Sequence, residues 1–291
     1  KEKTSYCVRD KRGNILLENQ TATLYSELEP PLKPYLNTAK IGLEASTSYY
    51  TLYRTFLTNG HDISVANTIQ LRQLIAKNDR LDAKRLSEML RLGTFPCSYI
   101  PDEHIQHLRS LVQVRHSLME EKVRCNVRIQ AFLDKNGVLM PPYEAFSKHW
   151  RHTLQKHLST GVASGELHYE YDHFLFLEKK QRQVEQEMKH YTRNHWRKEY
   201  TLIQSVTGFG PVLACYVIAH VCPIERFPSN RKLRRYAGVI PAKKQSGETT
   251  SKGHIPKGSS RKQLRWALVQ AANTAGKTDT PLGRYYRKKK K

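Results

Sequence analysis

The sequence predicts an α/β domain with a mixed sheet, followed by a long helical region and a basic, mainly helical C-terminal part. Three observations carry this reading. Short apolar runs alternate with helical spacing through the first third of the chain. Two long later stretches hold apolar residues at helical intervals between charged ones. Positive charge then gathers at the far end. The expected domains are residues 1–101, 102–200 and 201–291.

In the first domain, SYCVRDKRGNILLENQ (4–19) places apolar runs on either side of a DKRGN turn, which predicts a β-hairpin. Residues 21–37 read as a helix running into a proline-bounded loop. AKIGLEAS (39–46) reads as a short buried strand ending in an acid. SYYTLYRTFLTNG (48–60) has helical spacing and stops at Gly60 as a C-cap. HDISVAN (61–67) is the next strand, and residues 67–93 read as two helical pieces joined at KND. The alternation argues for one mixed sheet packed by helices.

In the second domain, Ile105, Leu108, Leu111, Val112, Leu118, Val123 and Val127 mark a long amphipathic helix over 102–135. Leu167, Phe174, Leu177, Val184, Met188 and Tyr191 mark another over 166–200. The two are expected to pair as a helical hairpin or coiled coil, either spacing two domains or joining protomers. Gly137, Pro141, Pro142 and Gly161 break the region between them. In the third domain, SVTGFGPVLACYVIAHV (205–221) sets Gly208 and Gly210 between two helical pieces, as in a helix-hairpin-helix. Its backbone N–H groups suit a phosphate, although a plain tight turn fits equally well. Residues 226–241 read as a helix ending at Gly238, and 259–275 as one opening on Ser259 or Ser260. Arg261, Lys262 and Arg265 stand in its first turns, where cations oppose the helix dipole and a phosphate would relieve them.

The formal net charge is +23 over 291 residues, and from Pro223 onward nineteen Lys or Arg face three acids. A basic excess held in one domain is the footprint of nucleic-acid binding. No signal peptide, apolar span or strong amphipathic anchor points to a membrane. Five cysteines without a CxxC pair argue against a disulfide framework or zinc ribbon and for a cytoplasmic, reduced protein. The start at Lys1 and the stop within RKKKK read as the ends of a piece of a longer chain.

Three acids stand out by position. Glu44 ends a strand, and Asp79 and Asp82 lie three apart where a helix begins, so they share one face. Converging carboxylates repel one another unless divalent cations bind, and hard oxygen donors suit Mg2+ or Mn2+. The alternative is structural: Asp79 caps the helix and Asp82 pairs with Arg80 or Arg85. PAKKQSGETTSKG (241–253) has no apolar period and reads as an exposed basic loop around Ser246-Gly247, either a flexible turn or a nucleophile beside DNA.

Taken in order, IGLEAS, KNDRLDAKR, SVTGFGPVLA, RKLRRYAGVIP and QSGETTSKGHIPKG resemble the DEDD-type transposases of bacterial insertion sequences. That group includes recombinases guided by a bridge RNA and the Piv-type DNA invertases. The resemblance implies an RNase H-like (RuvC-like) domain in which Glu44, Asp79 and Asp82 match three of four metal-binding acids. The first acid of the family has no counterpart: either it precedes Lys1 or the site is metal-deficient, and Asp10 in the hairpin turn does not match it. Ser246 matches the nucleophilic serine, and Lys243, Lys244, Lys252 and Lys257 would hold backbone phosphates.

The resemblance further implies strand exchange through a phosphoserine, with acids and serine meeting from different subunits of a dimer or tetramer. It also implies double-stranded DNA as substrate, a structured noncoding guide RNA that chooses the sequence, and a bacterial, nucleoid-associated setting. The sixteen Tyr and eight Phe could include stacking platforms for RNA. Two other classes stay open. A RuvC-like nuclease or Holliday-junction resolvase would use water and spare Ser246. A non-catalytic nucleic-acid-binding protein would use the acids as caps.

Overall fold

The computed structural model describes residues 2–46, 49–71, 79–138, 140, 147–159, 165–240, 244–246, 249–251 and 261–290. The chain divides into two units, Lys1–Ile100 and Pro101–Lys291. It is mostly helical, with three small sheets among the described residues.

The first unit opens with the expected hairpin. β1 (Lys3–Arg9) pairs antiparallel with β2 (Ile15–Ala22), and Asp10 closes the turn by accepting from the Asn14 backbone at 2.8 Å and its side-chain amide at 2.9 Å. α1 (Tyr25–Leu36) follows and contains Pro30, Pro31 and Pro34. The prolines were expected to bound the helix. Instead Leu28, Leu32 and Leu36, spaced four apart, seat it in the core beside Leu52 and Phe56. β3 (Ile41–Glu44), α2 (Tyr49–Thr58) and β4 (Ile63–Ala66) form a β-α-β unit with parallel strands, and Gly60 takes φ 80° after α2. α3 (Thr68–Leu71) and α4 (Asp79–Arg91) complete the unit; the KND junction at 77–79 lies largely outside the described residues. One mixed sheet was expected. Among the described residues the strands form two separate pairs, β1–β2 and β3–β4.

The second unit is built on α5 (Glu103–Lys135) and α7 (Gly165–His195), which pack along each other. Asp102 caps α5 by accepting from the Ile105 backbone at 2.8 Å. Cys125, Ile129 and Leu133 of α5 meet Leu167, Tyr171, Phe174 and Leu177 of α7. α6 (Lys148–Ser159), in a region read from its breakers as a connection, closes that core with Trp150 and Leu154. The second long helix was expected to run to 200. It stops at His195, Trp196 adopts φ −138°, and α8 (Arg197–Gln204) follows as a separate helix.

α9 (Pro211–Val221) is the most buried helix, with Ala214, Cys215, Tyr216, Ile218 and Ala219 sealed from solvent against α5 and Ala267 of α11 (Lys262–Gly276). α10 (Asn230–Ala237) is capped by Ser229 and ends on Gly238 at φ 71°, the stop that its sequence predicted. The N-cap position of α11 is Arg261, whose backbone N–H bonds the Tyr236 carbonyl at 3.2 Å; Ser259 and Ser260, the expected caps, lie outside the described residues. β5 (Lys244–Ser246) and β6 (Thr249–Ser251) form an antiparallel ribbon, and α12 (Pro281–Lys290) follows α11. No described helix is long and apolar enough to cross a membrane.

Candidate functional site

In the first unit, α4 is drawn onto the strands by close backbone approach and ion pairs. A Cβ on Gly42 would lie 2.7 Å from the Phe95 ring and 2.8 Å from Leu90, so only glycine lets β3 come this close. Lys84 pairs with Glu18 at 2.9 Å, and Arg9 donates to the Ser87 hydroxyl at 3.1 Å. These contacts hold α4 against β1, β2 and β3. As a result Glu44 and Asp82 line one cavity of about 690 Å³.

Among the described residues Asp82 Oδ1 is buried without a hydrogen-bond partner, as is the Ser5 hydroxyl of the same cavity. A buried carboxylate oxygen with no donor is costly to desolvate, so it fits a cation better than it fits a structural role. The Arg85 pairing considered for Asp82 is not among the described ion pairs, and the Arg80 side chain lies outside the described residues. Asp79 begins α4 one turn from Asp82, but its side chain lies outside the described residues. Asp10 also borders the cavity, yet its carboxyl is held below the usual range chiefly by Asn14, against the opposing effect of desolvation, and it is committed to the hairpin turn.

The second unit carries the remaining sequence-derived candidates. Ser246 ends β5 and stands opposite Thr249, so an ordered ribbon replaces the expected irregular loop. The repeated hydroxyl and β-branched residues of 246–251 offered that signal. Only the backbone of Lys244 and Ser246 is described, and Lys243, Lys252 and Lys257 lie outside the described residues. Arg261 and Lys262 are exposed, and Arg265 is half-buried.

Gly208 and Gly210 differ in role. At φ 103°, Gly208 brings the turn against α11, where a Cβ would sit 2.2 Å from the Ala271 carbonyl oxygen. Gly210 is exposed at the N-cap of α9 with open space around it. At the other end of α9, Arg109 donates to Ala219 O at 2.8 Å and Arg226 to the His220 carbonyl, so guanidinium groups satisfy its last turn. Burial, reinforced by Arg109 and Arg261, pushes the His220 ring down to about 3.

Sequence reasoning missed one donor cluster. Cys125, Glu170 and His173 approach within metal-binding reach across α5 and α7. The cluster satisfies itself. The Cys125 thiol donates to Glu170 Oε2 at 3.2 Å, and Arg128 holds Oε1 at 2.7 Å. Burial pushes the thiol up to about 12, which opposes the thiolate a metal would need.

Two family profiles match the chain. One, described as the transposase IS116/IS110/IS902 family, covers residues 200–287. The other, the DEDD transposase domain of IS110-type elements, covers residues 1–137. The y4qE protein of Sinorhizobium fredii is 29% identical over 79% of this chain and 57% of its own length. The transposase of insertion sequence element IS1328 from Yersinia enterocolitica is 24% identical over 91% of this chain and 78% of its own. An insertion element IS116 protein of Streptomyces clavuligerus is 31% identical over 40% of this chain and 28% of its own. The chain thus spans little more than half the length of the Sinorhizobium relative.

Proposed function

This chain belongs to the IS110-type DEDD transposases, and from that premise we propose that it catalyses DNA strand exchange for an insertion sequence through a phosphoserine on Ser246. The observation that carries the reading is that Glu44 and Asp82 line one cavity, where Asp82 Oδ1 finds no donor among the described residues. Glu44 and Asp82, with Asp79 at the adjacent turn, would hold Mg2+ or Mn2+. Bound there, the cation would neutralise charge on a phosphodiester and lower the pKa of an attacking hydroxyl. An RNase H-like reading of the first unit is supported by its antiparallel hairpin followed by a parallel β-α-β unit.

Ser246 supplies the nucleophile. Its Oγ forms a bond to phosphorus, one P–O bond of the DNA breaks, and the serine proton passes to the freed strand end. The phosphoserine conserves the bond energy, so a hydroxyl on the exchanging strand can displace the serine without an external energy source. Arg261, Lys262 and Arg265, the turn at Gly208 and Gly210, and Lys243, Lys244, Lys252 and Lys257 hold phosphates. A net charge of +23 supports contact with both DNA and a structured guide RNA, which would choose the sequence. The active form is a dimer or tetramer acting on bacterial DNA.

The test is strand cleavage of labelled DNA carrying the element junction, with Mg2+ and the candidate guide RNA. Asp82→Asn, Glu44→Ala and Ser246→Ala should each lower cleavage by about 100-fold or more. Cleavage that survives Ser246→Ala but not Asp82→Asn would identify a water-using nuclease instead.

A further inference from the structure

Tyr236 stands half-buried in the last turn of α10. Its ring packs on Phe227 with centroids 5.2 Å apart, and the guanidinium carbons of Arg226 and Arg261 lie 4.8 Å and 5.7 Å from its centroid. Arg226 is itself anchored, because it donates to the Val221 carbonyl at 3.4 Å and to the His220 carbonyl. Arg261 Nε donates to the Tyr236 hydroxyl at 3.2 Å.

A guanidinium has donors and no acceptor, so the phenol oxygen accepts in that contact and its own proton is left to donate. Among the described residues no acceptor takes that proton. The charged groups that act on the phenol are all cations. Burial alone would raise it, but Arg261, hydrogen bonding from Arg226 and the charge of Arg109 together bring it below its usual value. An O–H donor acidified by guanidinium groups suits an anionic acceptor. Arg261 is exposed, so its remaining N–H groups can reach the same anion.

The backbone gives this donor its place. α10 stops at Gly238, and the Arg261 backbone N–H bonds the Tyr236 carbonyl at 3.2 Å where α11 begins. The chain between them leaves from beside Tyr236 and returns to it. That excursion carries the β5–β6 ribbon, with Ser246 opposite Thr249. Tyr236 therefore marks the base of the segment that bears Ser246.

We propose that Tyr236 is a DNA-contacting residue of strand exchange: its hydroxyl, backed by Arg226 and Arg261, donates to a non-bridging oxygen of the phosphodiester at the exchange point. The placement at that bond rests on the Ser246 reading; the phosphate contact does not.

The test is a phosphate scan of binding. The complete gene product carrying Ser246→Ala is titrated, with candidate guide RNA and without Mg2+, against junction DNA in which single phosphates are replaced by neutral methylphosphonates. Tyr236→Phe keeps the ring between Phe227 and Arg226 and removes only the donor. It should weaken binding of unmodified DNA by about tenfold. A methylphosphonate at the contacted position should cost the parent a similar factor and the variant almost nothing, and that position should adjoin the cleaved bond. A variant that binds every DNA as tightly as its parent, or that loses one constant factor on all of them, would overturn the contact. Coupling only to a phosphate remote from the cleaved bond would also overturn the proposal. So would weakened guide-RNA binding with no coupled DNA phosphate, which would assign the donor to the RNA. No cleavage is needed for the scan, so a missing Ser246 adduct in a separate reaction would reject the serine and leave an observed coupling intact.

Discussion

At the residue scale, Asp82 and Ser246 divide the account between them. Asp82 is held with one carboxylate oxygen buried and without a donor, a cost that folding alone gives no reason to keep. An amide is cheaper to bury than a charge, so Asp82→Asn should raise stability by on the order of 1 kcal/mol while abolishing metal-dependent cleavage. Thermal unfolding and cleavage measured on the same preparation check this; a variant that is less stable would mean the carboxylate has a structural partner. The places of Glu44 at the end of β3 and of Asp82 in the first turn of α4 were legible, because a strand end and a helix start are positions that sequence spacing can fix. The Cys125–Glu170–His173 cluster was not, because Cys125 and Glu170 lie forty-five residues apart on different helices and meet only through packing.

At the element scale, the hairpin, the β-α-β unit, both long helices and the Gly238 stop were readable from turn residues and apolar period. The misses have physical causes. α6 carries Trp150, Leu154 and Leu158 four apart, a helical signal masked by the glycines and prolines around it. The break at Trp196 lies in an unbroken helical pattern and is imposed by packing, with the Trp196 ring set against the α5–α9 core. Gly208 sits in a turn read as phosphate-binding, and packing adds a constraint that the sequence did not reveal, the close approach to α11. Gly208→Ala should therefore destabilise the second unit by about 2 kcal/mol or more, combining positive φ with a steric clash. Chemical denaturation would show it as a lower midpoint; an unchanged midpoint would mean that the α8–α9 turn adjusts freely.

At the scale of the whole molecule, composition was the strongest guide to partners and the weakest guide to sheet continuity. The excess of nineteen cations over three acids beyond Pro223 is visible in the sequence, and α10 displays Arg231, Lys232, Arg234 and Arg235 on its exposed surface. If these hold phosphates, Arg231→Ala should weaken DNA binding evenly across sequences and reduce the slope of log K against log salt by about 1. Fluorescence titrations from low to moderate salt would measure that slope. The division of the strands into two pairs among the described residues was not legible, because each strand reads correctly alone and which strands pair is decided by packing.

The central claim is that Ser246 becomes covalently joined to DNA with the help of Glu44 and Asp82. The most direct measurement is peptide mapping of the product after reaction with junction DNA, Mg2+ and guide RNA, followed by denaturation and nuclease trimming. The account predicts a nucleotide-linked peptide containing Ser246, absent when Asp82 is replaced by Asn. Cleaved DNA with no linked peptide, or a link at any other residue, would contradict it.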